Sequence, residues 1–269
     1  MAATRTKATV FLGGGRITGA LAAGLRLAGD RSEIVVYDRH PEKVRALRRE
    51  SGVKIARDLK SAVESAEMLI VAVRPASVKE MLAEVAASGA KAPRLCVSLA
   101  AGIPFRILKA ALGGEVRWAR AMPSPVCRIG KGFTPVCFER GVSRQDRALV
   151  RALFELVGPV VELPESQLDA ITAAASPTHG YHALAALSEA ARKAGLDRRT
   201  ALLAAAHALA DGILYWRESG LELSELLHEA ATPGGIAAAT MSAMDKAGYQ
   251  RAVARGVRAG IAQARKNAR

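Results

Sequence analysis

The amino-acid sequence predicts an α/β fold: a doubly wound sheet followed by an all-helical block. Three observations carry that expectation. An apolar run at residues 8–12 breaks into Gly13-Gly14-Gly15 and then into a helical pattern at Ile17, Leu21 and Leu25. Short apolar runs go on alternating with helical patterns as far as residue 163, as parallel strands joined by crossover helices must. After Pro164 no further β-like run occurs, and the chain turns rich in Ala and Leu. At 269 residues it is long enough for two domains, placed at 1–163 and 164–269.

The opening unit is the most specific. A buried strand, a tight glycine turn and a helix start offer bare backbone and unpaired N–H groups, which is what a dinucleotide pyrophosphate requires. In the fingerprint Gly-x-Gly-x-x-Gly the first two glycines fall at Gly13 and Gly15, whereas the third place holds Thr18, with Gly19 one residue late. A second β-like run at residues 33–38 closes a βαβ unit of the Rossmann-like kind.

The remaining elements follow in order. Residues 41–50 read as a helix with Val44 and Leu47 inward and Pro41 in the first turn, where its missing N–H costs nothing. A short strand is expected at 52–55 and a helix at 59–66. Residues 68–73 form an unbroken apolar run, the mark of a strand covered on both faces, and it stops at Arg74-Pro75. A helix at 78–87, a strand at 95–99, a turn at Ala101-Gly102, a helix at 105–112 and a strand at 116–120 follow, ending at Met122-Pro123-Ser124-Pro125. A last strand is expected at 134–138 and a helix at 145–157, before the apolar run 160–163 meets Pro164. The sheet is expected to be parallel, with ligands gathering at the carboxyl ends of its strands.

Helices are expected beyond at 165–175, 177–194, 200–218, 223–230, 234–248 and from 249 onward. Ser176-Pro177 and Thr232-Pro233 each read as a hydroxyl cap with proline at the first helical position, and Gly195 and Gly248 as stops. Leu202, Leu203, Leu209, Ile213 and Leu214 cover more than one face of their helix, so the block is expected to pair with a second copy, as a homodimer or a higher oligomer.

Composition narrows the function. The net charge is +14, yet the basic residues are scattered, with only short pairs such as Arg48-Arg49 and Arg198-Arg199 and no interleaved aromatic residues. That pattern favours an anionic small molecule over nucleic acid. Cys96, Cys127 and Cys137 lack metal-ligand spacing and point to reduced thiols in the cytoplasm, and no metal is expected. Residues 1–7 are polar and basic and lead into the first apolar run rather than into a signal-peptide segment, and no run is long enough to span a membrane.

Taken together, these residues resemble the pyrroline-5-carboxylate reductase family over nearly the whole chain. The matching points are Gly13-Gly14-Gly15-Arg16, Val71-Ala72-Val73-Arg74-Pro75, Ser98-Leu99-Ala100-Ala101-Gly102-Ile103, Met122-Pro123, Asp169-Ala170-Ile171-Thr172-Ala173 and Thr232-Pro233-Gly234-Gly235. The resemblance implies a Rossmann-like domain, a helical domain that interlocks with a second chain, and hydride transfer from a reduced nicotinamide cofactor to the C=N carbon of a cyclic imino acid. It implies that Gly13, Gly14, Gly15, Arg16 and Ile17 cradle the pyrophosphate, Ala72, Val73, Arg74 and Pro75 the riboses, and Ala101 the nicotinamide side. Pro123, Ser124, Ser176, Thr178, Gly234 and Gly235 are then expected at the substrate, the last two presenting N–H groups to its carboxylate.

The departures from the family pattern fall at the substrate. Where the family writes Ser-Gly-Ser-Gly-Pro-Ala-Tyr, this chain has Ala175-Ser176-Pro177-Thr178-His179-Gly180-Tyr181, and the family's threonine two residues after Pro-Gly-Gly is Ala237. His179 and Tyr181, in the first turn of the helix after Pro177, become the candidates for chemistry, the histidine to protonate the product amine or orient a carboxylate, the alternative being a helix-start residue bonded only to a neighbour. His207 and Asp211, four apart, are expected either to pair along one helix or to meet a second copy. For the cofactor, Asp38 suits a ribose 2′-hydroxyl and Arg39, beside His40, a 2′-phosphate, which favours NADPH and leaves NADH open. Two other readings stand beside this one: a dinucleotide-binding protein without turnover, and a β-hydroxyacid dehydrogenase-like enzyme, for which the helical block offers no lysine between Lys193 and Lys246.

Overall fold

The computed structural model describes residues 8–268 and is built around the strand β1 (Ala8–Leu12). The lead-in at residues 1–7 lies outside the described residues. β1 pairs in parallel with β2 (Ile34–Tyr37) on one side and β4 (Ala66–Val71) on the other, Val10 lying level with Val35 and Leu69. With β3 (Lys54–Ile55), β5 (Leu95–Ser98), β6 (Arg117–Ala121), β7 (Thr134–Phe138) and β8 (Val160–Glu162), the eight-stranded sheet runs β3-β2-β1-β4-β5-β6-β7-β8. Strand order reverses between β1 and β4, the place where the carboxyl ends of a doubly wound sheet open a crevice.

Both faces of the sheet are covered, which explains its unbroken apolar strands. Successive side chains alternate, so Phe11 enters one core while Val10 and Leu12 enter the other. The first core takes Leu21 and Leu25 of α1 (Arg16–Leu27), Val44 and Leu47 of α2 (Pro41–Ser51), and Val150 and Phe154 of α6 (Arg144–Glu155). The second takes Val63 of α3 (Leu59–Ser65), Met81 and Leu82 of α4 (Val78–Ala87), Leu108 of α5 (Phe105–Leu112) and the fully buried Trp118.

The end of the sheet departs from the all-parallel expectation. β7 runs antiparallel to β6, with Arg120 level with Cys137, and β8 follows β7 in parallel. Residues 122–133 hold no crossover helix, only a 3₁₀ turn at Pro125–Ile129, so the chain re-enters from the edge it left and must run back. That turn lies against α1 so closely that a Cβ on Gly24 would sit 2.0 Å from the Cys127 carbonyl oxygen.

The chain divides into two compact units. One runs to Ala175 and resumes at Arg258, and the other is Ser176–Val257. The first therefore includes α7 (Glu165–Ala174), beyond the boundary at residue 163, because Leu168 is buried in the same core as Trp118.

The second unit holds α8 (Thr178–Lys193), α9 (Arg198–Ser219), α10 (Leu223–Ala230), α11 (Ile236–Lys246) and the first turns of α12 (Tyr249–Asn267). Its Ser176 hydroxyl accepts from the Thr178 amide at 3.4 Å, but the cap position of α8 falls to Pro177, one residue later than expected, with no side-chain bond capping the helix. Thr232 does not cap the helix that follows it. Its hydroxyl donates back to the Glu229 carbonyl, and Gly234, with φ of 77°, breaks the helical path so that α11 opens at Ile236. Ala201 and Ala205 are the unit's only buried apolar residues, while Leu202, Leu203, Ile213, Leu214 and Trp216 stay 45–59% exposed. Such a surface requires covering by another protein face. Among the described residues no helix is long and apolar enough to cross a membrane.

The α1 contact makes one substitution diagnostic. In a free helix Gly24→Ala would gain about 1 kcal/mol of propensity, but the collision with the Cys127 backbone should outweigh it and leave a net loss of about 1–3 kcal/mol. A lower denaturation midpoint with unchanged slope is the expected result, and a raised midpoint would contradict the packing.

Candidate functional site

The glycine turn has a separate reason at each position. Gly13 has φ of 113°, donates to the Tyr37 carbonyl at 2.7 Å, and would place a Cβ 2.8 Å from the Ala72 carbonyl oxygen. The Gly14 amide donates to Asp38 Oδ2 at 2.7 Å. Gly15 occupies the cap position of α1 without any side-chain bond into the helix, and a Cβ there would meet nothing within 4 Å. The start of α1 thus carries first-turn amides without a side-chain cap at the positive end of a helix dipole, beside the exposed Arg16. A helix start of this kind is suited to an anion.

Thr18 is no defect in this turn. Its side chain is fully buried and its hydroxyl donates to the Gly13 carbonyl at 2.6 Å, fixing the turn from below. Gly19 takes over close packing, since a Cβ there would lie 2.9 Å from Leu47 Cδ2 of α2.

Asp38 and Arg39 are occupied in ways the sequence could not show. Asp38 accepts from the Gly14 amide with one oxygen and from the His40 amide, at 2.8 Å, with the other. Arg39 pairs through Nη1 with Glu80 at 3.0 Å and through Nη2 with Glu84, both on α4. These carboxylates raise the guanidinium pKa further above its ordinary value.

The parallel order of β2, β1, β4, β5 and β6 brings most candidates to one edge. Gly13–Ile17 (residues 13–17), Asp38, Arg39, Ala72, Val73, Arg74, Pro75, Ala101, Pro123 and Ser124 all follow carboxyl ends of neighbouring strands. Arg74 is exposed where it opens the 3₁₀ turn Pro75–Ser77. The Ala101 carbonyl accepts from Asn267 Nδ2 at 3.1 Å, and Gly102 lies against Ala264 of α12 so tightly that a Cβ would be 2.0 Å from its carbonyl oxygen.

The other candidates belong to the helical unit. Ser176 Oγ bonds Thr178 Oγ1 at 3.0 Å at the start of α8, where His179 and Tyr181 are exposed. At α11 the Gly235 amide is committed to the Thr232 carbonyl at 2.9 Å, a correction to its expected role as a donor. The helix start has no side-chain cap, so its available donors are the amides that follow Gly235, beginning with Ile236. His207 Nδ1 and Asp211 Oδ2 lie 2.9 Å apart as a pair along α9.

One cluster escaped the sequence. Arg120, 2% exposed on β6, bonds Glu165 Oε1 at 2.9 Å and faces Asp169 Oδ1 at 3.6 Å. Glu165 Oε1 also accepts from the Phe105 amide at 2.7 Å, so one carboxylate joins β6, α5 and α7. Pairing across such sequence distances leaves no periodic trace. The cysteines offer no nucleophile: burial pushes the Cys137 thiol up to about 12 and the Cys127 thiol up to about 11, and drives Cys96 upward too.

Comparison with known proteins agrees with this division of labour. Residues 9–102 match a family model described as NADP oxidoreductase coenzyme F420-dependent, and residues 165–267 match one described as pyrroline-5-carboxylate reductase dimerisation. A pyrroline-5-carboxylate reductase of Mycobacterium tuberculosis (strain ATCC 25618 / H37Rv) is 32% identical over 274 residues, covering 93% of this chain and 92% of that one. Among solved structures, the 1-pyrroline-5-carboxylate reductase of Streptococcus pyogenes matches with a TM-score of 0.88 at 21% identity, covering 98% of this chain and 100% of that one. The Plasmodium falciparum pyrroline carboxylate reductase, solved with NADP bound, matches with 0.87 at 20%, covering 99% and 100%. At these identities the structures speak to the fold.

The Asp38 geometry yields a direct expectation. Because the carboxylate holds the turn rather than standing free, Asp38→Ala should weaken NAD⁺ and NADP⁺ binding by similar factors, about tenfold each. Calorimetric titration with both nucleotides checks this, and a loss confined to NAD⁺ would show a ribose contact instead.

Proposed function

Because this chain belongs to the pyrroline-5-carboxylate reductase family, we propose that it reduces the C=N bond of a cyclic imino acid with NADPH or NADH, yielding proline or a close relative. The observation that carries this reading is the uncapped, open start of α1 at Gly15, on the edge where the strand order reverses. The residues fit a dinucleotide. Gly13 admits no side chain against Ala72, and the amides of α1 with Arg16 can neutralise a pyrophosphate. Ala72, Val73, Arg74 and Pro75 would line the riboses, and Ala101 the nicotinamide side. The relative solved with NADP bound supports the same cofactor class.

The bound reduced nicotinamide supplies the hydride, and the protein supplies orientation and charge. Pro123 and Ser124 follow β6 on the nucleotide edge. In the helical unit the first-turn amides of α11 with Gly234 offer a dipole end suited to the carboxylate of an anionic substrate. His179 and Tyr181, at the start of α8, are the groups able to hold or deliver a proton at the ring nitrogen. A protonated cyclic imine already carries the charge that draws the hydride to its carbon, so Ala237 lowers efficiency or shifts substrate choice without removing the reaction. The exposed leucines of α9 and the match to a dimerisation model support pairing with a second copy, as a homodimer. Three buried free thiols accord with a cytoplasmic setting.

Purified protein given NADPH and pyrroline-5-carboxylate should oxidise the nucleotide in proportion to the imine and form proline. Ala237→Thr should raise kcat/KM for this substrate about tenfold by restoring a hydrogen bond in the transition state. Binding of nucleotide with no turnover of five- or six-membered cyclic imino acids would instead mark a binding protein.

A further inference from the structure

We propose that Glu80 and Glu84 set the balance between NADPH and NADH by holding Arg39. The inference rests on the dinucleotide reading above and deepens it at the end of β2.

Arg39 follows the strand end at which an adenine ribose would lie, and it is the cation the sequence offers to a 2′-phosphate. Its guanidinium is already taken. Nη1 lies 3.0 Å from Glu80 Oε1, and Nη2 bonds Glu84 Oε1. The two glutamates are four residues apart on α4 and so share one helix face, presenting two carboxylates to one cation. Asp38 adds a third negative charge next to it, and Glu42 stands 3.6 Å from His40 Nδ1. Although the whole chain carries +14, the Arg39 guanidinium is paired with two carboxylates.

That arrangement treats the two nucleotides differently. A 2′-hydroxyl can be accommodated with Arg39 left in place. A 2′-phosphate must draw Arg39 off both carboxylates and then remain near them. The three side chains are 38%, 61% and 40% exposed, so the exchange is modest rather than forbidding. Glu80 and Glu84 are positioning residues, acting through Arg39 without touching the nucleotide.

The test is a mutant cycle read by calorimetric affinities for NADP⁺ and NAD⁺, with circular dichroism to establish that each variant is folded. Glu80→Gln with Glu84→Gln should raise the ratio of NADP⁺ to NAD⁺ affinity about threefold to tenfold, as expected for two exposed pairs. Arg39→Ala should lower that ratio, and adding the glutamine changes to Arg39→Ala should move it by no more than about twofold if the effect runs through the guanidinium. An unchanged ratio in the glutamine variant, or an equal rise with and without Arg39, would overturn the proposal. Absence of binding by either nucleotide to the unmodified chain would overturn it too, by removing the dinucleotide reading beneath it.

Discussion

The approach of Gly13 to the Ala72 carbonyl is the contact on which the site depends. β1 and β4 are parallel neighbours followed by helices that pack into opposite cores, and Gly13 turns the chain out of β1 directly against Ala72, the residue that follows β4. A Cβ 2.8 Å from a main-chain oxygen is not available there. The turn is then held from three directions, by the Tyr37 carbonyl on the Gly13 amide, by the Thr18 hydroxyl on the Gly13 carbonyl, and by Asp38 on the Gly14 amide. Beyond those restraints Gly15 leaves the start of α1 without a side-chain cap. Rigidity of this turn is what the proposed anion site would be built on.

Periodicity made the fold legible because both faces of the sheet are covered. Runs such as residues 68–71 are apolar at every position, which few other settings allow. The glycine turn was legible for a related reason, as residue type there answers to backbone geometry. The reversed β7 was not, since direction is decided by whether residues 122–133 cross the sheet, and a 3₁₀ turn leaves no strong pattern. Thr232 misled through composition. A hydroxyl before proline reads as a cap, but the following Gly234 takes a left-handed conformation that only the folded backbone reveals.

Charged residues show the limit most sharply. Arg39 viewed alone is a phosphate ligand; beside Glu80 and Glu84 it is a neutralised cation whose availability depends on an exchange. Asp38 viewed alone contacts a ribose; with Gly14 and His40 it is a strut. Arg120, which the sequence places only within the expected strand 116–120, is the buried centre joining β6 to α7 through Glu165 and Asp169. In each case at least one partner lies far away in sequence, Gly14 for Asp38, Glu80 and Glu84 for Arg39, and Glu165 and Asp169 for Arg120. Family resemblance supplied the chemistry of the substrate end, where Ala237 and residues 175–180 depart from the family pattern and Tyr181 keeps it.

Hydrogen exchange with and without NADP⁺ is the most direct measure of whether the bare turn holds a nucleotide. Slowed exchange at the amides of residues 15–18, joined by residues 72–74, 76 and 101–103, is the expected result. Unchanged exchange at residues 15–18 under saturating nucleotide would contradict the anion site on which the functional reading stands.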